Sequence, residues 1–350
     1  MRWPRYLFVI PLVCGAIAAG WIAEQRYSYP DLAPYRRYLL PEAPPGALPI
    51  VRWLGATTLL IDDGDTALMT DGFFSRPHGP LRILLGAKIA PDRRRIARAL
   101  AEARIKRLAA VIVLHSHYDH AMDAPEVARL TGAKLVGSRS TANIGRGWRL
   151  PEEQIVVADP GRPMQFGRFR VTLIPSRHAE TALGRTMVQG RIEKPLVPPA
   201  PALAYRSGES YSLLLEHPCG TMLVQGSAGY RPGALRGRHA DIAVLSIGAL
   251  GLDSERQRLA YYEETVTAVG ARLVVPVHWD DFSLPLARMP RPQPRLLDDV
   301  ERALEFVVER AEHDPGVALR LMPAGPPVAL YGLLPEERRR TCAQALNVNP

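Results

Sequence analysis

The feature that most constrains this chain is a run of six residues, His115 to His120, with the sequence His-Ser-His-Tyr-Asp-His. It directly follows Ala109 to Leu114, an unbroken apolar run rich in β-branched residues, which predicts a strand buried on both faces of a sheet. Buried imidazoles and carboxylates are costly without partners, so packing alone does not explain three His and one Asp in this place. The run therefore predicts a functional site at the end of a buried strand.

The spacing within the run predicts two neighbouring metal sites. Imidazoles two residues apart on an extended turn direct their nitrogens toward one point, so His115 and His117 suit one ion. Asp119 and His120 follow immediately and can serve a second ion beside it. A catalytic zinc ion takes three protein ligands and keeps an open position for water, so each site needs one more ligand.

Two further histidines are placed to complete these sites. His178 follows the predicted strand 171–175, and His278 follows the predicted strand 272–277. The carboxyl ends of strands are where ligand sites gather in α/β folds, so both side chains are expected near the His115–His120 run. The other histidines have no comparable placement, although His78 lies in a loop that could approach the site.

Strand and helix patterns alternate along the chain from residue 50 onward, which predicts an α/β sandwich with two similar halves. The strand candidates are short apolar runs, at 50–53, 57–61, 67–70, 109–114, 171–175, 211–216, 222–225, 241–247 and 272–277. Periodic apolar residues predict helices at 91–107, 257–269 and 296–311. The sequence Asp-Asp-Gly-Asp at 62–65 predicts a hairpin turn.

With these motifs in place, the chain resembles the metallo-β-lactamase superfamily from about Ile50 to Leu321. The His-x-His-x-Asp-His motif is complete, and Asp71 matches the early strand-end aspartate of that fold. Trp53-Leu54-Gly55 and Pro276-Val277-His278 look most like the branch that contains ascorbate-phosphate lactonase and the N-acyl-phosphatidylethanolamine phospholipase D enzymes. The resemblance implies a four-layer αβ/βα sandwich and a hydrolase with two Zn²⁺ ions.

Carried over by position, the resemblance assigns three ligands to each ion. His115, His117 and His178 would bind the first ion. Asp119, His120 and His278 would bind the second.

One departure from the branch concerns the centre of the site. The branch has an aspartate that bridges both metals after the strand that here reads 222–225, and this chain has Gly226-Ser227-Ala228-Gly229. Because serine is neutral and a poor zinc ligand, the site loses a negative charge. The second ion is therefore expected to bind more weakly, with water or hydroxide as the only bridge. One or two Zn²⁺ ions are expected, with another divalent metal as the alternative.

The expected activity is metal-dependent hydrolysis, in which metal-bound hydroxide attacks a phosphodiester or an ester. Zinc lowers the pKa of bound water from near 16 to about 7. Asp119 and His120 are the expected catalytic residues, and Asp119 would orient the hydroxide and accept its proton. A lipid phosphodiester or an amphipathic ester is the first substrate hypothesis. The alternatives are a lactonase or β-lactamase-type hydrolase, and a metal-binding protein with a degenerate site.

Several neighbours of the ligands are candidates for orienting them or for contacting substrate: Asp71, Tyr118, Arg177, Ser227, Trp279 and Asp280. Arg177, next to His178, would suit a phosphate or carboxylate, or would form a surface ion pair. Asp280 and Asp281 could hold the second nitrogen of His278.

The N-terminal sequence predicts export from the cytoplasm. Arg2 and Arg5 precede an apolar run from Tyr6 to about Ala23, which suits a cleaved signal or a membrane anchor. The domain boundaries predicted from these patterns are a signal or anchor at 1–23, a tether at 24–48, a hydrolase domain at 49–325 and a C-terminal tail at 326–350. Either version places the domain in the periplasm or outside the membrane, with membrane contact through the N-terminal segment.

Composition narrows the chemistry further. The net charge of +9 comes almost entirely from arginine, and no interleaved aromatics or nucleic-acid motif accompany it, so no nucleic-acid partner is expected. The basic stretch 93–107 has a helical rhythm and is interpreted as a solvated helix face, with steering of anionic lipid or substrate as the alternative. Three scattered cysteines exclude a disulfide framework or a thiolate zinc cluster, so His and carboxylates must hold any metal.

The segment 184–208 is rich in proline and apolar residues and is expected to be a long loop. Long loops in compact domains often serve as lids or binding loops. A surface insertion without a role is the alternative.

Overall fold

The computed structural model describes residues 28–77, 79, 83, 85–179 and 188–346. The strands in these ranges are β1 (Ile50–Trp53), β2 (Leu59–Asp62), β3 (Ala67–Thr70), β4 (Lys88–Ile89), β5 (Ala110–Ile112), β6 (Lys134–Gly137), β7 (Ile155–Val157), β8 (Met164–Phe166), β9 (Phe169–Pro175), β10 (Ala200–Pro201), β11 (Tyr211–His217), β12 (Gly220–Gln225), β13 (Ile242–Ser246), β14 (Leu273–Val277), β15 (Ala318–Leu319) and β16 (Pro327–Val328).

The α-helices in the same ranges are α1 (Arg93–Glu102), α2 (Tyr118–Ala121), α3 (Ala124–Thr131), α4 (Arg139–Gly147), α5 (Glu255–Thr265), α6 (Val300–His313) and α7 (Glu336–Leu346). Short 3-10 helices lie at Ala33–Tyr38, Glu152–Gln154, Ala202–Ala204, Leu250–Leu252, Thr267–Val269 and Leu330–Leu333. None of these helices has the length and apolar character that a membrane span requires. The predicted signal or anchor at 1–23 and His78 lie outside the described residues.

The strands form two seven-stranded sheets and one two-stranded sheet. The first sheet has the order β16-β1-β2-β3-β5-β6-β7, and the second has the order β15-β14-β13-β12-β11-β9-β8. In the first sheet β3, β5 and β6 run parallel, and in the second β12, β13 and β14 do. The small third sheet pairs β10 with β4.

Alternation along the strands separates the layers. Successive side chains in a strand point to opposite faces, so Leu59 and Ile61 of β2 lie in the core between the two large sheets. Leu60 of β2 and Val111 of β5 point the other way and pack in a second apolar cluster with Ile96 of α1. With α5 and α6 packed on the second sheet, the predicted four-layer sandwich is observed.

The predicted helices are all present, with shifted ends. The first begins later than predicted because Asp92 caps it, accepting hydrogen bonds from the backbone N–H groups of Arg94 and Arg95. It ends at Glu102, shortly before Arg104 adopts a positive φ of 57°. Asp299 caps α6 in the same way, so that helix starts at Val300 instead of residue 296.

The termini of the described chain pack against the sandwich. In the segment predicted as a tether, Tyr35 and Leu40 are buried in the main core. In the segment predicted as a C-terminal tail, β16 pairs with β1 and α7 contains Cys342. Cys342 forms a disulfide with Cys219, across a sequence separation of 123. The two cysteines in the described part of the chain therefore make a single cross-link that the sequence did not indicate.

Candidate metal centre

The site lies where the parallel strands of both sheets end. The His115–His120 run follows β5, Asp71 follows β3, and His278 follows β14. His117 has an extended backbone, with φ −62° and ψ 158°, and the short helix α2 begins directly after it. This change from extended chain to helix separates the first two histidines from Asp119 and His120. The run therefore contributes side chains to two neighbouring ligand groups.

Asp119, His120 and His278 form one of the two potential ligand groups. Asp119 Oδ2 lies 3.3 Å from His120 Nε2 and 3.3 Å from His278 Nε2, and the two nitrogens are 3.1 Å apart. Tetrahedral coordination with bonds of about 2.0–2.1 Å places ligand atoms roughly 3.3 Å apart. The three atoms therefore have the separations that one zinc-sized ion requires.

His115, His117 and His178 form the other group, with potential ligand atoms within 4.8 Å of one another. His178 Nδ1 lies 2.9 Å from the carbonyl of Ala179, and His117 Nε2 lies 3.2 Å from the carbonyl of Val188. Each of these rings thus has one nitrogen anchored on the backbone and one left for a metal. His115 Nε2 is buried and has no hydrogen-bond partner in the described chain, which fits a ligand atom.

The electrostatics of the two groups differ. Burial, reinforced by neighbouring imidazoles, lowers the pKa of His115, and burial lowers the pKa of His117 to about 3 and that of His178 to about 4. These rings are neutral at physiological pH, as metal binding requires. Burial alone would raise the pKa of Asp119, but His120 and His278 hold it well below its usual range. Burial opposes protonation of His120, yet Asp119 and Asp71 raise its pKa to about 10.

Asp71 orients His120. Its Oδ2 lies 2.9 Å from His120 Nδ1 and also accepts a hydrogen bond from the Thr57 hydroxyl, while its Oδ1 accepts the backbone N–H of Leu114 at 2.9 Å. Asp71 adopts a positive φ of 55°, at the turn that follows β3. One carboxylate therefore joins β3 to the strand that carries the motif and directs His120 Nε2 toward Asp119 and His278.

Asp280 does not hold His278, contrary to the prediction. Its carboxylate accepts the backbone N–H of Ala56 at 2.8 Å and forms a buried ion pair with Arg76. His278 Nδ1 is buried and unpartnered among the described residues. Arg76, which the sequence did not single out, is the residue that neutralises Asp280.

The remaining sequence candidates separate into cavity and non-cavity residues. Tyr118 and Ser227 line a cavity at the ligands, and the Ser227 hydroxyl accepts the backbone N–H of Ala179 at 2.9 Å. Trp279 is buried against Trp53, with ring centroids 4.9 Å apart, and does not line this cavity. Arg177 is exposed and lines two other surface pockets.

The cavity has a volume of about 370 Å³ and a largely apolar wall. The Pro-rich segment contributes Val188, Leu203 and Tyr205, which supports its interpretation as a binding loop. The part of the segment that the structure describes, 188–208, is mostly irregular, although β10 and the 3-10 turn Ala202–Ala204 interrupt it. None of the described wall residues is Arg or Lys.

Sequence reasoning missed much of this wall. Phe282 packs edge-on against Tyr118, and Ser246, Gln293, Leu297 and Asp298 also line the cavity. Ser246 could have been found, because it is the penultimate residue of the predicted strand 241–247, which lies beside the strand that leads to His278. The others lie between β14 and α6, where Phe282 and Gln293 belong to no predicted element and Leu297 and Asp298 fall in the first turn of the predicted helix 296–311, which the structure starts only at Val300.

Comparison with known proteins agrees with this architecture. A family model described as the beta-lactamase superfamily domain matches residues 81–279, which is more than half of the chain. The chain belongs to the beta-lactamase superfamily. The matched superfamily region begins before the ligand motif and ends one residue after His278.

Two curated relatives and one solved structure are similar to this chain. The uncharacterized protein Rv0906 of Mycobacterium tuberculosis is 26% identical over 266 residues, covering 72% of this chain and 64% of that protein, so the chain spans less than two thirds of it. A UPF0173 metal-dependent hydrolase of Pyrobaculum arsenaticum is 25% identical over 274 residues, covering 77% of this chain and 99% of that protein. Igni18, a metallo hydrolase from Ignicoccus hospitalis, covers 80% of this chain and 97% of its own at 16% identity, with a TM-score of 0.48.

Proposed function

We propose that this protein is a metal-dependent hydrolase with two Zn²⁺ sites, and that it cleaves an ester bond in an amphipathic small molecule. The observation that carries the proposal is the convergence of six side chains in two groups of three, of which all but His115 line one cavity. The name of the Pyrobaculum relative supports the reaction class.

The donor set supports zinc. Five imidazole nitrogens and one carboxylate suit a borderline-soft ion better than Mg²⁺ or Ca²⁺, which prefer oxygen ligands. His115, His117 and His178 would hold one ion, and Asp119, His120 and His278 the other. When bound, such ions polarise the scissile group and lower the pKa of water.

The chain's own residues would position the reactants. Asp119 lines the cavity, and His120 and His278 keep its carboxylate ionised, so it can accept a proton from the attacking water. Asp71 keeps His120 in one orientation. The apolar wall, including Phe282 and Leu203, would exclude bulk water and receive the non-reacting part of the substrate.

We also propose that Ser227 replaces an aspartate bridge between the two ions. Its hydroxyl is committed to the backbone N–H of Ala179, and it adds no negative charge to the centre. The Asp119 site should then lose its ion first when zinc is withdrawn.

The cavity wall favours a carbonyl ester over a phosphodiester. A phosphate is normally recognised by Arg or Lys, and the described wall contains neither, while Arg177 faces other pockets. A lactone has the same carbonyl chemistry and is the second candidate. A phosphodiester is the substrate class that this wall suits least.

Metal content and a small substrate panel test the proposal. The full chain reconstituted with Zn²⁺ should bind two ions and hydrolyse a p-nitrophenyl alkyl ester faster than a lactone, nitrocefin or bis-p-nitrophenyl phosphate. His117→Ala should abolish the turnover, and Asp159→Asn, a change at an exposed residue, should not affect it. Fewer than one zinc per chain, or turnover that survives His117→Ala, would overturn the proposal.

We propose that the protein acts outside the cytoplasm. The basic and apolar N-terminal sequence supports this location, and so does the disulfide between Cys219 and Cys342, because disulfides persist in oxidising compartments. Fractionation of cells that express the full chain, with alkylation of free thiols before lysis, tests it. A cytoplasmic protein with both cysteines alkylated would contradict the proposal.

A further inference from the structure

The chain that follows β14 lines two separate cavities. Residues 281–283 line the cavity at the ligands, and residues 285–288 line a second cavity of about 770 Å³. A segment that borders open space in two places is not fixed by side-chain packing alone, because packing holds a group only where neighbouring atoms fill the space around it. Residues 280–284, called here the 280–284 loop, therefore need another support.

The guanidinium of Arg76 supplies this support. Its Nη1 donates to the backbone carbonyls of Asp281 at 3.2 Å and of Leu284 at 2.9 Å, and its Nη2 forms the ion pair with the Asp280 carboxylate. Arg76 is only 3% exposed. Three acceptors from one loop thus meet a single planar group, whose rigid fork of N–H donors suits several acceptors at once.

The surrounding backbone is shaped to admit Arg76. Gly55 has a φ of 93°, and a Cβ atom at that position would lie 1.8 Å from Arg76 Nη2, so the turn leaves room for the guanidinium only because it carries glycine. Arg76 itself has a positive φ of 44°. Residues with side chains keep such a conformation only where their surroundings enforce it, and they concentrate at functional sites.

A second series of contacts leads from Arg76 to His278. Asp280 Oδ1 accepts the backbone N–H of Ala56 at 2.8 Å, and the Ala56 carbonyl accepts the backbone N–H of His278 at 3.1 Å. Ala56 and His278 also have positive φ values, of 45° and 64°. Asp280 makes no contact with the imidazole, but its ion pair with Arg76 fixes the backbone from which that imidazole projects.

The 280–284 loop also carries an aromatic residue of the cavity wall. Phe282 packs against the rings of Tyr118 and His278, with centroids 6.3 Å and 5.6 Å away. In sequence it lies between the two residues whose carbonyls bind Arg76. A displacement of the loop would therefore move a wall residue and a potential metal ligand together.

We infer that Arg76 is a positioning residue, which holds His278 and Phe282 in place through Asp280 and the loop carbonyls. Arg76 does not line the cavity at the ligands, so it acts through these other residues. The inference rests on the proposed ester hydrolysis, in which Phe282 contacts the acyl chain, and it adds a determinant of acyl-chain preference that lies outside the cavity.

Two variants separate positioning from charge compensation. Arg76→Met removes the donors and leaves a buried, unpaired carboxylate, which is strongly destabilising. Adding Asp280→Asn removes that charge, and the asparagine oxygen can still accept the Ala56 N–H. The double variant should therefore regain most of the wild-type urea midpoint, while the carbonyls of Asp281 and Leu284 still lack their donor.

Hydrogen–deuterium exchange on the metal-free full chain measures the position of the loop without activity. The reporting amides are those of Asp281 and Leu284, which donate to the carbonyls of Arg291 at 2.7 Å and Asp281 at 3.1 Å. In the double variant, exchange across residues 280–291 should be at least about 10-fold faster than in the wild type, because each lost hydrogen bond to a charged group contributes a factor of roughly 10 to 100. Exchange in β12 should not change.

Zinc affinity and substrate preference should change with the loop. Competition with a chromogenic chelator should show about 10- to 100-fold weaker zinc binding at the Asp119 group, because His278 loses its fixed orientation. KM for p-nitrophenyl octanoate should rise about 10-fold in the double variant. KM for p-nitrophenyl acetate should rise less, because an acetyl group has little apolar surface for Phe282 to contact.

Arg168→Met is the matched control, because Arg168 also contacts a buried carboxylate, that of Asp63 at 3.3 Å, in the turn before β3. It should lower the urea midpoint and leave loop exchange, zinc affinity and the KM ratio unchanged. Arg76→Lys is the second test variant and keeps the charge beside Asp280. It places all donors on one nitrogen in place of a fork, so it should show the same changes to a smaller extent.

The outcomes distinguish this inference from the proposed function. If loop exchange, zinc affinity and KM return to wild-type values together with the urea midpoint in the double variant, Arg76 only compensates a charge and the inference is overturned. Equal effects in Arg168→Met, or wild-type exchange in Arg76→Lys, also overturn it. Faster loop exchange and weaker zinc binding in a chain that hydrolyses none of the esters would support the positioning role and overturn the proposed function.

Discussion

Two buried histidine–aspartate pairs, His120–Asp71 and His217–Asp63, lie at opposite ends of strand β3. In each pair one ring nitrogen contacts the aspartate, and the pairs differ in what the other ring nitrogen contacts. At one end Asp71 holds His120 Nδ1 at 2.9 Å, and His120 Nε2 faces Asp119 and His278. At the other end Asp63 holds His217 Nε2 at 3.2 Å, and His217 Nδ1 accepts the backbone N–H of Cys219 at 3.2 Å.

The comparison shows that burial and an aspartate partner do not identify a functional histidine. Both rings are buried, and both aspartates are almost fully inaccessible. His217 has both nitrogens committed inside the protein, so its pair ties the β2–β3 turn to the β11–β12 turn. His120 has one nitrogen committed and one directed at other ligands, so its pair serves a site. Four predictions test this division.

The largest expected effect is the loss of the ligand itself. His120→Ala should lower kcat/KM for the best ester by about 1,000-fold, because a metal ion contributes several kcal/mol to catalysis and each 1.36 kcal/mol is tenfold. It should also lower the zinc content toward one ion per chain. The matched variant His217→Gln should retain two ions and full kcat. Equal losses of zinc and of kcat/KM in the two variants would show that the two histidine–aspartate pairs do not differ in function.

The next effect concerns the cross-link beside the structural pair. Cys342→Ser removes the disulfide to Cys219, whose N–H contacts His217. A bridge that closes a long loop contributes about 2–4 kcal/mol to the free energy of unfolding. Urea unfolding should show this loss, with kcat of the folded protein unchanged. An unchanged unfolding midpoint, or a drop in kcat, would contradict the interpretation that the His217–Asp63 pair and its neighbouring disulfide contribute only to stability.

A smaller effect is expected from the orienting carboxylate. Asp71→Asn should weaken zinc binding at the His120 site about 10- to 100-fold, as changes in groups that orient ligands do. Competition with a chromogenic chelator measures it. Asp63→Asn is the control: it should lower the free energy of unfolding and leave zinc affinity unchanged. Zinc affinity that responds equally to both substitutions would show that the effect comes from general destabilisation.

The smallest effect is a pH dependence of stability. Burial lowers the pKa of His217 below its usual value of 6.5, so the folded state favours the neutral ring. Its stabilising contribution is therefore complete above pH 6.5 and is lost as the pH falls below that value. His217→Gln keeps a donor for Asp63 and an acceptor for the backbone N–H of Cys219. It should lower the free energy of unfolding by about 1 kcal/mol at pH 7.5. Between pH 7 and pH 5 it should lose less stability than the wild type, by urea unfolding.

Local motifs were sufficient to predict the two groups of potential metal ligands. His115, His117, Asp119 and His120 are adjacent in sequence, and a strand followed by a turn brings them together without help from distant residues. His178 and His278 were predicted because each follows a strand, and strand ends of one sheet meet at one edge. The sheets, most strand positions and the three predicted helices follow from the same apolar patterns.

Contacts between distant segments were not predictable in this way. Asp280 lies two residues from His278, yet it pairs with Arg76, which is 204 positions away. Arg177 is adjacent to His178 but points to the surface. Neighbourhood in sequence misassigned Asp280 and left the role of Arg177 open, because side-chain direction depends on how the loops fold back. The disulfide between Cys219 and Cys342 joins segments that no local pattern relates.

The sequence by itself determined the candidate ligand groups and the layered fold, because both depend on short-range periodicity and on residue types that have few uses. Only the tertiary structure decided which histidine–aspartate pair serves the site and which one is closed. It also brought Arg76 to the loop that carries the cavity wall residue Phe282. The physical reason is that whether a buried nitrogen or oxygen has a hydrogen-bond partner depends on every chain segment that packs around it. Those segments are far apart in the sequence, so no local pattern reveals them.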